Sequence, residues 1–210
     1  MEQPAPSTEY QPPLPPRETD ESLTYNHEPL NPNKREIRLL EVLPGNDGDT
    51  IQCHLRVVNF ADHPVYTALS YTWSNGNRSI HHIWIDGKML QFGNNLWLFL
   101  QEFRKRKATD GVLLWVDAIC IEQSNIQERN HQVAQMRDIY STASSVIVWL
   151  GPCLDDDAHA FDLLRYSRRL LSIPKNQDPR RYRSHRQWNA LASVFSKAYW
   201  ERAWVIQEFL

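Results

Sequence analysis

Residues Leu113 to Gly151 (LLWVDAICIEQSNIQERNHQVAQMRDIYSTASSVIVWLG) constrain the fold more than any other stretch. Leu113 to Ile121 is an apolar run broken only by Asp117, too short for a free-standing helix, and it predicts a strand. Asn125 and Glu128 stand at capping-box spacing, with Ser124 and Gln127 as an equivalent register one residue earlier. Behind that start Val133, Met136, Tyr140 and Ala143 fall on one helical face, with Ile139 beside them. Ser145 to Leu150 is a second apolar strand, closed by Gly151-Pro152. Strand, crossover helix and strand of this length predict a right-handed parallel unit. Parallel strands need cover on both faces, so the rest of the chain must supply further layers. The expected fold is α/β: a mostly parallel sheet with helices on both faces and an antiparallel N-terminal hairpin as lead-in. The ligand crevice of such a sheet lies beyond the carboxyl ends of its strands, here near Glu122, Gln123 and the Gly151-Pro152 turn.

Three segments divide the chain. Residues 1–34 read as a disordered proline-rich tail, because eight of the 13 prolines lie at or before Pro32 and the segment is polar. Its QPPLPP run favours polyproline II, which can also serve as a ligand for a proline-recognition domain. Residues 35–65 read as a lead-in β-hairpin. Ile37 and Leu39, then Ile51, Cys53, Leu55 and Val57, alternate with polar residues, and Pro44-Gly45 and Asp47-Gly48 lie between the two runs. That hairpin is expected to cover an edge or one face of the sheet. The remainder, 66–210, reads as the main domain.

Within it Tyr66 to Trp73 predicts a strand, and Asp86-Gly87 joins two more as a hairpin. Asn94 or Asn95 caps a helix with Leu96, Phe99, Leu100 and Phe103 on its apolar face, and the basic run Arg104 to Lys107 reads as its solvated end. Asp155 to Asp157 open a further helix, Ser172 to His185 form a long polar loop, and Gln187 to Lys197 are helical. The chain stops after Tyr199 to Leu210, a short aromatic helix with no stop signal, as a fragment of a longer protein would.

The net charge of −2 gives no electrostatic case for nucleic acid or an acidic membrane as partner. No apolar run approaches membrane-spanning length, and the N-terminus has no signal region. Cys53, Cys120 and Cys153 have no paired spacing, which argues against a disulfide framework or a zinc site and for a reducing, cytoplasmic address. Cys120 sits in an apolar run, where thiols are inert. His81 and His82 are adjacent in a strand and face opposite ways, so they cannot chelate together, and no metal is assigned.

Three blocks resemble the signature blocks of the fungal HET (heterokaryon incompatibility) domain: YTALSYTW at Tyr66 to Trp73, LWVDAICIEQ with its following helix and VIVWLG at Leu114 to Gly151, and WERAWVIQE at Trp200 to Glu208. Order and spacing fit as well, so the resemblance covers about Glu36 to Leu210. Two positions depart from the family pattern. Ser74 stands where the family has Gly, and Glu122 puts a carboxylate where it has an Asn amide. The resemblance implies a domain of fungal allorecognition proteins whose activation causes programmed cell death. It also implies a distant kinship with TIR domains, doubly wound flavodoxin-like modules that assemble on activation. Many of those cleave NAD at the nicotinamide–ribose bond with a Glu in a Trp-x-x-x-Glu helix.

Trp204 and Glu208 have that spacing, which makes Glu208 the candidate catalytic carboxylate. A carboxylate beside the ribose stabilises the oxocarbenium-like state of N-glycosidic cleavage. Tyr71, Trp73, Gln123, Arg129, Arg202 and Trp204 are the candidate nucleotide-binding residues, with NAD as substrate and no resident cofactor. Asp117, in its apolar run, needs a partner such as Arg202, Arg129 or a backbone donor. The alternative to an enzyme is a death-effector module that acts by self-association or by binding another protein.

Overall fold

In the computed structural model the described residues are 23–73, 79–107, 110–154, 156–165 and 184–202. Seven strands form one sheet: β1 (Glu36–Val42), β2 (Gln52–Asn59), β3 (Thr67–Tyr71), β4 (Ile80–Ile85), β5 (Lys88–Gly93), β6 (Leu113–Trp115) and β7 (Ser145–Trp149). Their spatial order is β5-β4-β2-β1-β6-β3-β7. The helices are α1 (Asn94–Lys107), α2 (Asp117–Cys120), α3 (Ile126–Thr142), α4 (Asp157–Arg165) and α5 (His185–Phe195).

The α/β class expected from the sequence is met, and the sheet is mixed. The pairs β2–β4, β6–β3 and β3–β7 are parallel, while β1–β2, β1–β6 and β4–β5 are antiparallel. The parallel half is therefore smaller than expected, for two reasons. The β1–β2 hairpin does not cover an edge or a face: β1 is hydrogen-bonded to β6 and lies in the middle of the sheet. Its residues Ile37, Leu39 and Leu40 are fully buried, which an outlying hairpin would not achieve. The strand–helix–strand unit also spans a gap, since β3 is inserted between β6 and β7. β7 is consequently an edge strand with a half-buried pattern, not the doubly covered strand its apolar run suggests.

Packing follows the helical faces. Phe99 of α1 meets Trp149 of β7 edge-on at 5.6 Å, and Tyr140 of α3 meets Trp115 of β6 edge-on at 5.5 Å. The hydroxyls of Tyr66 and Tyr140 tie strand and helix by donating to the carbonyls of Ile139 (2.5 Å) and Leu69 (3.0 Å). Asp86 and Gly87 both have positive φ (50° and 81°), as the two-residue Asp-Gly hairpin between β4 and β5 requires. Helices α4 and α5 pack on each other through Ala160, Ala190 and Val194 as a second, small cluster.

Two local expectations need correction. Arg104 is not part of a solvated helix end. It is buried, and its guanidinium donates to the carbonyls of Asp49 (3.1 Å) and Asn46 (2.8 Å), pinning the β1–β2 turn to α1. The tail expected to reach residue 34 is also too long. From residue 23 the chain is laid against the body as a strap: Tyr25 N–H donates to the Met89 carbonyl (2.8 Å), and Leu30 is buried. The polar composition that suggested disorder is compatible with order here because the strap is held mainly by backbone groups.

Candidate functional site

The parallel strands β3 and β6 end side by side, and their carboxyl ends open onto a crevice of about 370 Å³. Tyr71 and Trp73 line it from β3, Ala118, Ile121, Glu122 and Gln123 from the segment after β6, Leu96 from α1, and Phe92 and Gly93 from β5. Tyr25, Asn26 and His27 of the strap form the remaining wall. Gly93 packs closely there: a Cβ at that position would meet the Trp73 carbonyl oxygen at 3.2 Å.

Asp117 organises the crevice. It does not interrupt a strand, as its apolar context suggested, because β6 ends at Trp115 and Asp117 is the first residue of the short helix α2. Its Oδ1 accepts from Ala118 N–H (2.7 Å) and its Oδ2 from the indole N–H of Trp73 (2.9 Å). Its backbone carbonyl accepts from the Gln123 amide (2.8 Å). One residue thus fixes both Trp73, which remains 51% exposed, and Gln123. Tyr71 is buried, and burial followed by the nearby Asp117 charge pushes its hydroxyl well above its usual pKa, so it stays neutral.

Below the crevice Arg38 of β1 grips the start of α3. Its Nη1 and Nη2 donate to Glu128 Oε1 (2.6 Å) and Oε2 (2.9 Å), and Nη1 also reaches the Cys120 carbonyl (2.9 Å). Nη2 donates in addition to the Glu28 carbonyl of the strap. Burial raises the Glu128 carboxyl, but hydrogen bonds from Arg38 and from Glu122 N–H outweigh it and hold the pKa below the ordinary value. Glu128 therefore does more than cap. Asn125 is the N-cap of α3, accepting from Gln127 and Glu128 N–H, while Glu128 is committed to Arg38 and the Glu122 amide.

The structure brings together Tyr71, Trp73 and Gln123, which the sequence proposed as binding residues. Arg129 is exposed and donates to the Gln123 carbonyl (3.2 Å), so it supports the crevice loop from outside. Arg202 lies over the Tyr199 ring and donates to Ser70 Oγ (3.2 Å), beside β3 but not among the crevice-lining residues. Trp204 and Glu208 lie outside the described residues. Cys120 is fully buried, and burial pushes its thiol up to about 12. Among the described residues no group of three or more His, Cys, Asp or Glu is placed to hold a metal ion, and no helix is long and apolar enough to cross a membrane.

Sequence reasoning missed Arg38 and the strap, and it gave Asn95 the wrong role. Asn95 does not cap α1. It is buried, donates to the Thr72 carbonyl (2.7 Å) and accepts from the Trp149 indole (3.0 Å), which locks the ends of β3 and β7. The signal that pointed to it was an Asn before an apolar run, and it indicated the wrong partner.

Comparisons with known proteins agree on one family. The family described as Heterokaryon incompatibility protein (HET) matches residues 66–208. "Heterokaryon incompatibility protein 6, OR allele" of Neurospora crassa is 35% identical over 153 residues, covering 67% of this chain. The chain spans only 22% of that relative's length. No solved structure matches the chain. The family match covers more than half of the chain and includes the strands, the Asp117 segment and α3 that build the crevice, and the chain belongs to the heterokaryon incompatibility (HET) family.

Proposed function

We propose that this HET domain acts in fungal allorecognition and cell death by cleaving NAD at the nicotinamide–ribose bond in the crevice between β3 and β6. The observation that carries the reading is the position and lining of that crevice. It lies beyond the carboxyl ends of two parallel strands, where α/β sheets hold ligands. Its volume of about 370 Å³ suits part of a dinucleotide in an open cleft. An indole fixed by Asp117 offers a stacking surface, and Gln123 and Glu122 supply polar groups along the wall.

In the reaction the bond from ribose C1′ to the nicotinamide nitrogen breaks, and its electron pair leaves with nicotinamide. Water adds to C1′ and loses a proton. Glu208 is the carboxylate assigned to the developing positive charge, on the strength of its spacing from Trp204. Nicotinamide release from NAD by purified, concentrated protein tests this. Wild type should release it, and Glu208→Gln, folded, should neither release it nor kill cells. Killing at the wild-type level by folded Glu208→Gln removes the catalytic reading.

A second reading, a non-enzymatic self-associating module, rests on a different concavity. A larger groove of about 1430 Å³ runs between α1 and β7 on one side and α4 and α5 on the other. Phe161 and Phe195 on its walls are about half exposed (48% and 52%). That apolar surface gives the rival its support, and on that reading cell killing does not require the Glu208 carboxylate.

A further inference from the structure

The strap from Thr24 to Glu28 precedes the family match, which begins at residue 66, yet it closes one side of the crevice. It is held at three points. Thr24 bridges to Met89, with Tyr25 N–H donating to the Met89 carbonyl, the Glu28 carbonyl accepts from Arg38, and His27 Nε2 lies 2.7 Å from the Ile119 carbonyl. A carbonyl only accepts, so Nε2 must carry the proton and Nδ1 carries the lone pair in the neutral ring. Among the described residues Nδ1 has no protein partner, and it is not among the buried polar atoms left unsatisfied, so it remains accessible. His27 lines the crevice, with Tyr25 edge-on to it at 5.1 Å.

We propose that the strap is a wall of the ligand site and that His27 Nδ1 accepts a hydrogen bond from a donor on the bound nucleotide, a ribose hydroxyl or the carboxamide N–H. The proposal rests on the nucleotide reading above and adds a recognition residue that the family match does not contain. Burial holds the ring below its ordinary pKa of 6.5, against the Ile119 hydrogen bond and with help from the Arg38 charge. The other charged groups acting on it are Glu128 from α3 and Glu122 from the turn before that helix. Protonation of His27 removes the acceptor at Nδ1 while leaving the Nε2–H bond to Ile119 intact.

The test is NAD affinity of the intact protein between pH 8 and pH 5, by calorimetry, for wild type and His27→Gln. Gln can donate to the Ile119 carbonyl and still offers an oxygen acceptor, and it does not titrate. Wild type should bind about fivefold more weakly at pH 5 than at pH 8, with a midpoint below 6.5. His27→Gln should bind with no such dependence. Wild-type affinity that is flat with pH, or tighter in acid, overturns the role of His27 and needs no variant to show it. The same acid weakening in His27→Gln assigns the effect elsewhere and also overturns it. Absence of NAD binding by wild type at every pH removes the nucleotide reading itself, and this proposal with it.

Discussion

Arg38 and Glu128, ninety residues apart in sequence, form a two-pronged ion pair with side chains only 1% and 6% exposed. The pair joins the central strand β1 to the first turn of α3, and through the Cys120 and Glu28 carbonyls it also fixes the end of α2 and the strap. It is the point where sheet, crossover helix and crevice wall meet.

Arg38→Met should therefore be costly. It leaves the Glu128 carboxylate buried without its partner, and removal of one member of a buried pair costs about 3–5 kcal/mol. Urea unfolding of the variant against wild type checks this, and a loss below about 1 kcal/mol would show that the pair is dispensable.

The same pair sets an acid dependence. The folded pKa of Glu128 lies below its ordinary value of 4.5. The stability it contributes is thus present above about pH 4.5 and is lost as pH falls through the lower, folded value. The stability gap between wild type and Glu128→Gln should be largest near neutral pH and should shrink below pH 4.5. A gap that stays constant down to pH 3 would separate Glu128 from the acid transition.

Much of the strand and helix pattern was legible because it is written in local apolar periodicity. The α3 face of Val133, Met136 and Tyr140 and the Asp86-Gly87 hairpin are of this kind. Position in the sheet was not legible. The order β6-β3-β7 depends on β3, some forty residues earlier, being inserted between two strands that a helix joins directly. Arg38 was invisible for a related reason: one basic residue in an alternating strand reads as solvent-facing, and its partner lies far along the chain. Asp117 was read as a strand residue because the four-residue helix α2 is too short to show a helical period. Of the crevice lining, Tyr71, Trp73 and Gln123 were legible from their places at strand ends. His27 was not, because the strap shares the polar composition of the prolines before it.

Asn95→Ala tests the lock between β3 and β7. The Trp149 indole N–H and the Thr72 carbonyl, both half-buried, would each lose a partner, at about 1 kcal/mol each. Thermal unfolding should show a clear fall in Tm. An unchanged Tm would mean that water satisfies both groups.

Thiol labelling reads the core directly. Burial pushes Cys53 and Cys120 up to about 12, whereas Cys153 is exposed. Iodoacetamide at pH 8 should modify Cys153 alone in the native protein and all three cysteines after denaturation. Rapid native labelling of Cys120 would contradict the packing of α2 against β1.

The nucleotide crevice itself is tested most directly by NAD affinity at Trp73. Base–aromatic stacking contributes about 1–3 kcal/mol, so Trp73→Ala should weaken NAD binding by about tenfold or more. Trp73→Phe keeps a stacking ring and should recover most of the loss, with both variants folded by near-ultraviolet dichroism. Equal NAD affinity in wild type and Trp73→Ala would contradict the account, because the ligand would then lie somewhere other than between β3 and β6.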